Sequence, residues 1–215
     1  MKIGVLGTGM VGKGLASKLV DLGHEVKMGS RKAGNKAAVG WAQDSGDLAS
    51  EGSFADTAAH GEIVVNATTG KHSVQALEAA GEENLNGKLL IDVANPIDRE
   101  TGTLTVCNTD SLGEQIQARF PDARVVKTLN TIYVGVMVNP GAIPPPHNIY
   151  LSGNDGNAKR KTRRLLEAMG WPGADILDLG DITTARGPEM YLILFLKLWG
   201  HTDTPSFNLQ VKQAG

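Results

Sequence analysis

Short apolar runs recur along the chain, separated by stretches in which apolar residues return at helical spacing. KIGVLG, residues 2–7, is the first run, and GLASKLVDLG, residues 14–23, is the helical stretch after it. HEVKMGS, EIVVNATTG, KLLIDVANP and ARVVKTLNT read as four further strands, and HNIYLSGN and ADILDLG as two more. A strand near Gly46 to Ala49 leaves only a faint pattern. Helices are predicted over Ser73 to Ala80, Leu112 to Phe120 and Ala158 to Met169.

Strands that are apolar on both faces and alternate with helices predict a mostly parallel sheet covered on each side. The fold class is therefore α/β, a doubly wound sheet of Rossmann type with a small C-terminal lobe. NPGAIPPPHN, residues 139–148, cannot continue a helix or a central strand. It sets the expected boundary between a first domain, 1–145, and a small α/β lobe, 146–215.

The chain has 215 residues, 41% hydrophobic and 20% charged, which suffices for a packed core of this class. Its net charge of -2 argues against nucleic acid as a partner, because binding phosphate backbones needs a basic surface. One cysteine, Cys107, excludes an internal disulfide and fits a reducing compartment. No signal-peptide pattern precedes the first strand. The most apolar stretch, MYLILFLKLWG, is interrupted by Lys197 and is shorter than the roughly 18 residues of a membrane span. A soluble cytoplasmic protein without membrane contact is expected.

Gly7, Gly9 and Gly12 form G-x-G-x-x-G after a strand and at the start of a helix. The first glycine permits the tight turn, the second lets a pyrophosphate approach the backbone, and the third lets helix and strand pack closely. The same residues begin a triphosphate loop, G-x-x-x-x-G-K. Position 14 is Gly14, however, where that loop needs a magnesium-binding hydroxyl. A dinucleotide is expected.

An acid after the second strand would bind the ribose 2′-hydroxyl and repel a 2′-phosphate. Here the sequence is Gly29, Ser30, Arg31 and Lys32, with Lys36 nearby. A hydroxyl, a guanidinium and an ammonium suit a 2′-phosphate, so NADP(H) is the expected cofactor. The other strand ends carry Asn66, Ala67, Thr68 and Thr69; Val93, Ala94, Asn95 and Pro96; and Lys127, Thr128, Leu129, Asn130 and Thr131. Small and amide residues suit a dinucleotide passing close to main chain, and they also suit ordinary turns.

The order of KIGVLGTGMVGKGLASKL, MGSRK, VVNAT, LLIDVANP and VVKTLNT resembles the NADPH-dependent deazaflavin (coenzyme F420) reductases. The later LDLGDITTARGPEMYLILFLKLWG resembles the closing segment of that family, whose clan also contains the oxidoreductase domain of the Steap ferric reductases. The resemblance implies an NADP-dependent oxidoreductase with coenzyme F420 or a similar small-molecule redox acceptor as co-substrate. It places the phosphate turn on Thr8, Gly9, Met10 and Val11, the 2′-phosphate site on Ser30 and Arg31, and the nicotinamide-side loops on Thr68, Ala94 and Asn95.

Hydride transfer between two stacked rings requires no protein acid, so no catalytic residue is assigned. His72 reads as a solvent-facing or capping residue. Lys127 reads either as support for an acidic acceptor or as a strand-edge lysine. Asp175, Asp178 and Asp181 recur every three residues without histidine or cysteine, and a structural role is preferred to a metal site. KRKTRR, Lys159 to Arg164, reads as the solvated face of a helix. MYLILFLKLW is too apolar to stand alone and should pack against the sheet or a second copy, which predicts a homodimer. The alternatives are a reductase of flavin, ferric chelates or small carbonyls and imines, and an NADP-binding regulatory protein without turnover.

Overall fold

A computed structural model describes residues 1–214. Ten strands are present: β1 (Lys2–Leu6), β2 (Glu25–Ser30), β3 (Ala49–Ser53), β4 (Ile63–Asn66), β5 (Leu89–Asp92), β6 (Ile97–Asp98), β7 (Thr103–Leu104), β8 (Arg124–Lys127), β9 (Ile149–Ser152) and β10 (Ile176–Gly180). The helices are α1 (Met10–Asp21), α2 (Lys36–Ser45), α3 (Phe54–His60), α4 (Ser73–Ala80), α5 (Leu112–Arg119), α6 (Val134–Val138), α7 (Gly156–Ala168) and α8 (Arg186–Thr202). Eight strands form one sheet in the order β10-β9-β8-β5-β4-β1-β2-β3, and β6 and β7 form a separate hairpin.

Six neighbouring strands, β3 through β8 in sheet order, are parallel. The chain runs from β1 outward through β2 to β3 and then returns to β4 on the other side of β1, which gives the Rossmann switch point between β1 and β4. β9 pairs antiparallel with β8, and β10 runs parallel to β9. The expected boundary at 145/146 falls where the chain enters β9, so the C-terminal segment adds two strands to the edge of this sheet. Its Leu151, Leu165, Trp171 and Ile176 share one core cluster with Ile3 and Val5 of β1.

Alternation along each strand explains the two layers. Ile3, Val5, Ile63, Val65, Leu89 and Ile91 face the core closed by α1, α2 and α7. Leu6, Val64, Leu90 and Val125 face the core closed by α3, α4 and α5. Gly4 matters to the second layer, because a Cβ there would run into the Thr57 carbonyl of α3.

The faint strand begins later than its pattern suggested. Gly46 ends α2 with φ +81°, and the extended chain starts only at Ala49. The weakly patterned α2 and α3 are fixed by local capping instead. Asn35 accepts from the amides of Ala37 and Ala38, while Ser53 and Asp56 form a capping box. The apolar α8 buries only Pro188, Glu189 and Phe195 within its own chain, and Met190, Leu194 and Trp199 stay exposed. No helix among the described residues is long and apolar enough to cross a membrane.

A candidate dinucleotide site at the strand ends

The glycine turn divides its three glycines between packing and open space. Gly7 has φ +118°, and a Cβ on it would lie 2.5 Å from the Ala67 carbonyl oxygen. Its amide donates to the Gly29 carbonyl at 2.9 Å, which ties the turn to β2. A Cβ on Gly12 would strike the Gly7 carbonyl. Gly9 differs: it is exposed, and nothing lies within 4 Å of its Cβ position. Gly9 is also the N-cap of α1 and offers no side-chain cap, so the first-turn amides point into that open space. Thr8 and Val11 flank it half-buried, and Met10 is exposed. Gly14 has its own explanation, since a Cβ there would come within 2.6 Å of the Val134 side chain on α6.

One strand over, Ser30 ends β2 in a buried position and donates its hydroxyl to the Lys32 carbonyl at 2.6 Å. The proton of Ser30 thus organises the loop, and a phosphate would have to redirect it. Glu51 braces the loop from β3 by accepting from the Gly34 amide at 2.9 Å. Arg31 and Lys32 are exposed and make no ion pair among the described residues. A braced loop therefore presents two free cations beside the open glycine turn.

The third part of the site was only partly legible in the sequence. Asn66, Asp92 and Lys127 are the last residues of β4, β5 and β8, and they stand in one cross-strand row. Asn66 donates to Asp92 at 2.8 Å, and the Lys127 ammonium donates to the other Asp92 oxygen at 2.7 Å. Lys127 also donates to the Ala94 carbonyl and lies 2.8 Å from Glu189 of α8. Glu189 in turn accepts from the amides of Leu112 and Gly113 at the start of α5, at 2.8 and 3.0 Å. All three ammonium protons are thereby used.

This row is fully enclosed, with side-chain exposures of 0% for Lys127 and Asp92 and 2% for Glu189. Burial pushes the lysine towards neutrality, yet the two carboxylates outweigh it and hold its pKa above the ordinary value. The α5 amides and helix dipole balance the second carboxylate. The row continues to the rim: Asn66 accepts from the Thr68 amide at 3.3 Å and hydroxyl at 2.7 Å, and Thr68 meets Ser73 at 2.9 Å.

Asn95 and Asn130 join the loops after β5 and β8. Asn95 donates to the Asn130 carbonyl at 2.7 Å, and Asn130 donates to the Asn95 side-chain oxygen at 3.0 Å. Of the other rim residues, Ala67 is half-buried and Thr69 exposed. Val93 and Ala94 are 4% and 5% exposed and pack into opposite core layers, so their side chains are turned away from a ligand. The buried hydroxyls of Thr128 and Thr131 find no partner among the described residues.

The remaining sequence candidates lie elsewhere. His72 is exposed in a helical turn before α4. Asp178 pairs with Lys159 at 2.8 Å, Asp181 caps the turn at Thr183, and Asp175 is buried. Within KRKTRR, Arg163 is tied to the carbonyls of Gly173 and Ile176, whereas Arg160, Lys161 and Arg164 face outward. No group of three metal-binding side chains occurs among the described residues.

The family described as NADP oxidoreductase coenzyme F420-dependent matches residues 2–96. The chain is 31% identical over 212 residues to the F420-dependent NADP reductase of Methanothermobacter marburgensis, covering 92% of each. It is 27% identical over 198 residues to the metalloreductase STEAP3 of Rattus norvegicus, covering 92% of this chain but 38% of that protein. The crystal structure of a candidate F420-dependent NADP reductase from an Arthrobacter species superposes with a TM-score of 0.93 at 48% identity. That match covers 99% of this chain and 100% of the other.

Proposed function

The chain belongs to the coenzyme F420-dependent NADP oxidoreductase family, and from that premise we propose that it passes hydride between NADPH and a deazaflavin, coenzyme F420. NADP-dependent oxidoreduction is common to the family; the acceptor and the residue assignments are our reading. One observation carries the assignments: the uncapped α1 N-terminus and open Gly9 lie beside a braced loop with two unpaired cations.

In this reading the first-turn amides of Met10, Val11 and Gly12 hold the pyrophosphate, over the space left open at Thr8 and Gly9, and Gly7 makes the turn that places them. Arg31 grips the 2′-phosphate bidentately, Lys32 adds a point charge, and Ser30 fixes the loop that carries both. Ala67, Thr68, Thr69, Val93, Ala94 and Asn95 form the rim under the nicotinamide. When bound, NADPH supplies the hydride; the protein orients it and keeps the transfer away from water. No side chain of this rim needs to donate or accept a proton.

A second copy completes the acceptor side in the same reading. α8 is apolar on nearly all sides, and its Met190 and Leu194, one turn apart, are exposed. A single exposed cysteine fits a reducing, cytoplasmic setting.

The test is NADPH oxidation against coenzyme F420, flavin, ferric chelate and small carbonyl panels, without added metal. Loss of the deazaflavin absorbance at the rate of NADPH oxidation is expected. Turnover of ferric chelates, the alternative favoured by the STEAP3 likeness, with F420 untouched would overturn the acceptor and leave NADP binding intact.

A further inference from the structure

Lys127 is buried, charged and fully paired, so it is neither a strand-edge lysine nor free to meet an acidic acceptor. Its position explains why it is there. It ends β8 in the same row as Asp92 of β5 and Asn66 of β4, directly beneath the loops that begin at Val93 and Ala67.

We propose that Lys127 is a positioning residue for the nicotinamide end of the site. One of its protons fixes the Ala94 carbonyl, which sets the height of the loop from Val93 to Asn95. A second fixes Asp92, whose other oxygen accepts from both Asn66 and the Ala94 amide. Asn66 then orients the Thr68 hydroxyl and amide. The third proton goes to Glu189, so the first turn of α8 is tied to the same point. A single ammonium therefore holds both loops of the rim, and α8, in one fixed arrangement. Among the described residues no ion pair reaches the glycine turn or the loop after β2, where the phosphates would be held. The inference rests on the reading of Thr68, Ala94 and Asn95 as the nicotinamide rim.

This asymmetry makes the proposal separable from a general structural role. NADP⁺ spans both ends of the site, whereas 2′,5′-ADP carries only the phosphate end. Both are titrated by calorimetry against wild type, Lys127→Met, and the charge-balanced triple variant Asp92→Asn, Lys127→Met, Glu189→Gln. The triple variant removes the unpaired buried carboxylates that could prevent Lys127→Met from folding. NADPH turnover with coenzyme F420 is measured in parallel.

In whichever variant folds, 2′,5′-ADP affinity should stay within about twofold of wild type, with NADP⁺ affinity lowered. Turnover should fall by about tenfold or more, because the reacting ring loses its fixed support. Equal losses for both ligands would make Lys127 a general scaffold residue and overturn the proposal. Unchanged NADP⁺ affinity and turnover would overturn it as well. A folded wild-type protein that binds neither ligand would instead refute the NADP site itself, and the inference with it.

Discussion

Glu189, in the first turn of α8, holds a carboxylate oxygen 2.8 Å from the ammonium of Lys127 at the end of β8. Both groups are excluded from solvent, and each has further partners of matching charge or polarity. Such a pair is costly to assemble but far costlier to break, because one removed partner leaves an uncompensated charge in the core. Lys127→Met alone should therefore lower stability by about 3–5 kcal/mol. Denaturant unfolding with both single and triple variants should recover most of that loss in the charge-balanced triple.

The glycine turn predicts a sharp contrast between two neighbours. Gly9→Val should fold with nearly unchanged Tm, because its Cβ meets nothing, and should abolish binding of NADP and NAD alike. Gly12→Val should damage the fold first, since even a Cβ there strikes the Gly7 carbonyl. Thermal melts beside calorimetric titration separate the two. A Gly9→Val protein with intact affinity would move the pyrophosphate elsewhere.

Arg31 is exposed and makes no ion pair among the described residues, so its replacement should act on the ligand alone. Arg31→Glu should weaken NADP binding by about 2–3 kcal/mol, exchanging a charge-assisted hydrogen bond for repulsion. NAD binding should change far less. Equal losses for the two cofactors would mean that the loop supports the fold instead of reading the phosphate.

The family resemblance places Ala94 in a nicotinamide-side loop. Its side chain instead packs in the core layer of Leu90 and Leu112, at 5% exposure. Ala94→Leu should accordingly cost about 1–3 kcal/mol of stability through overpacking, seen as a lowered denaturation midpoint. Asn95, half-buried on the rim, is the better site for a turnover effect.

Tyr191 on α8 keeps a buried hydroxyl without a partner among the described residues, and burial raises its pKa to about 12, with Tyr150 adding to the shift. The unfolded chain releases this proton near the ordinary value of about 10. The folded state therefore keeps the full contribution below that value and loses it as pH rises towards 12. Stability should fall across this window less steeply in Tyr191→Phe than in wild type. At neutral pH the variant should be at least as stable, since it removes an unsatisfied polar group. Parallel curves in the alkaline window would contradict the assignment.

The inner strands of the sheet were legible because they are short runs apolar on both faces, alternating with helical stretches. The glycine turn was legible because each of its glycines has a separate steric task. α2 and α3 were not, because their identity depends on Asn35 and Ser53 caps and not on an apolar stripe. The row of Asn66, Asp92 and Lys127 left a signal, a polar residue closing three successive apolar strands. Its register across the sheet, however, is a tertiary fact. Glu189 lies in the closing segment that carries the family resemblance, but nothing in the sequence points it at Lys127, and only folding brings the two together.

Calorimetric titration of the purified protein with NADP⁺ and with NAD⁺ tests the central claim most directly. The claim is that Arg31 and Lys32, beside the open turn at Gly9, read a 2′-phosphate. The account predicts that NADP⁺ binds at least about tenfold more tightly, a difference of about 1.4 kcal/mol. Equal affinities, or a preference for NAD⁺, would contradict it.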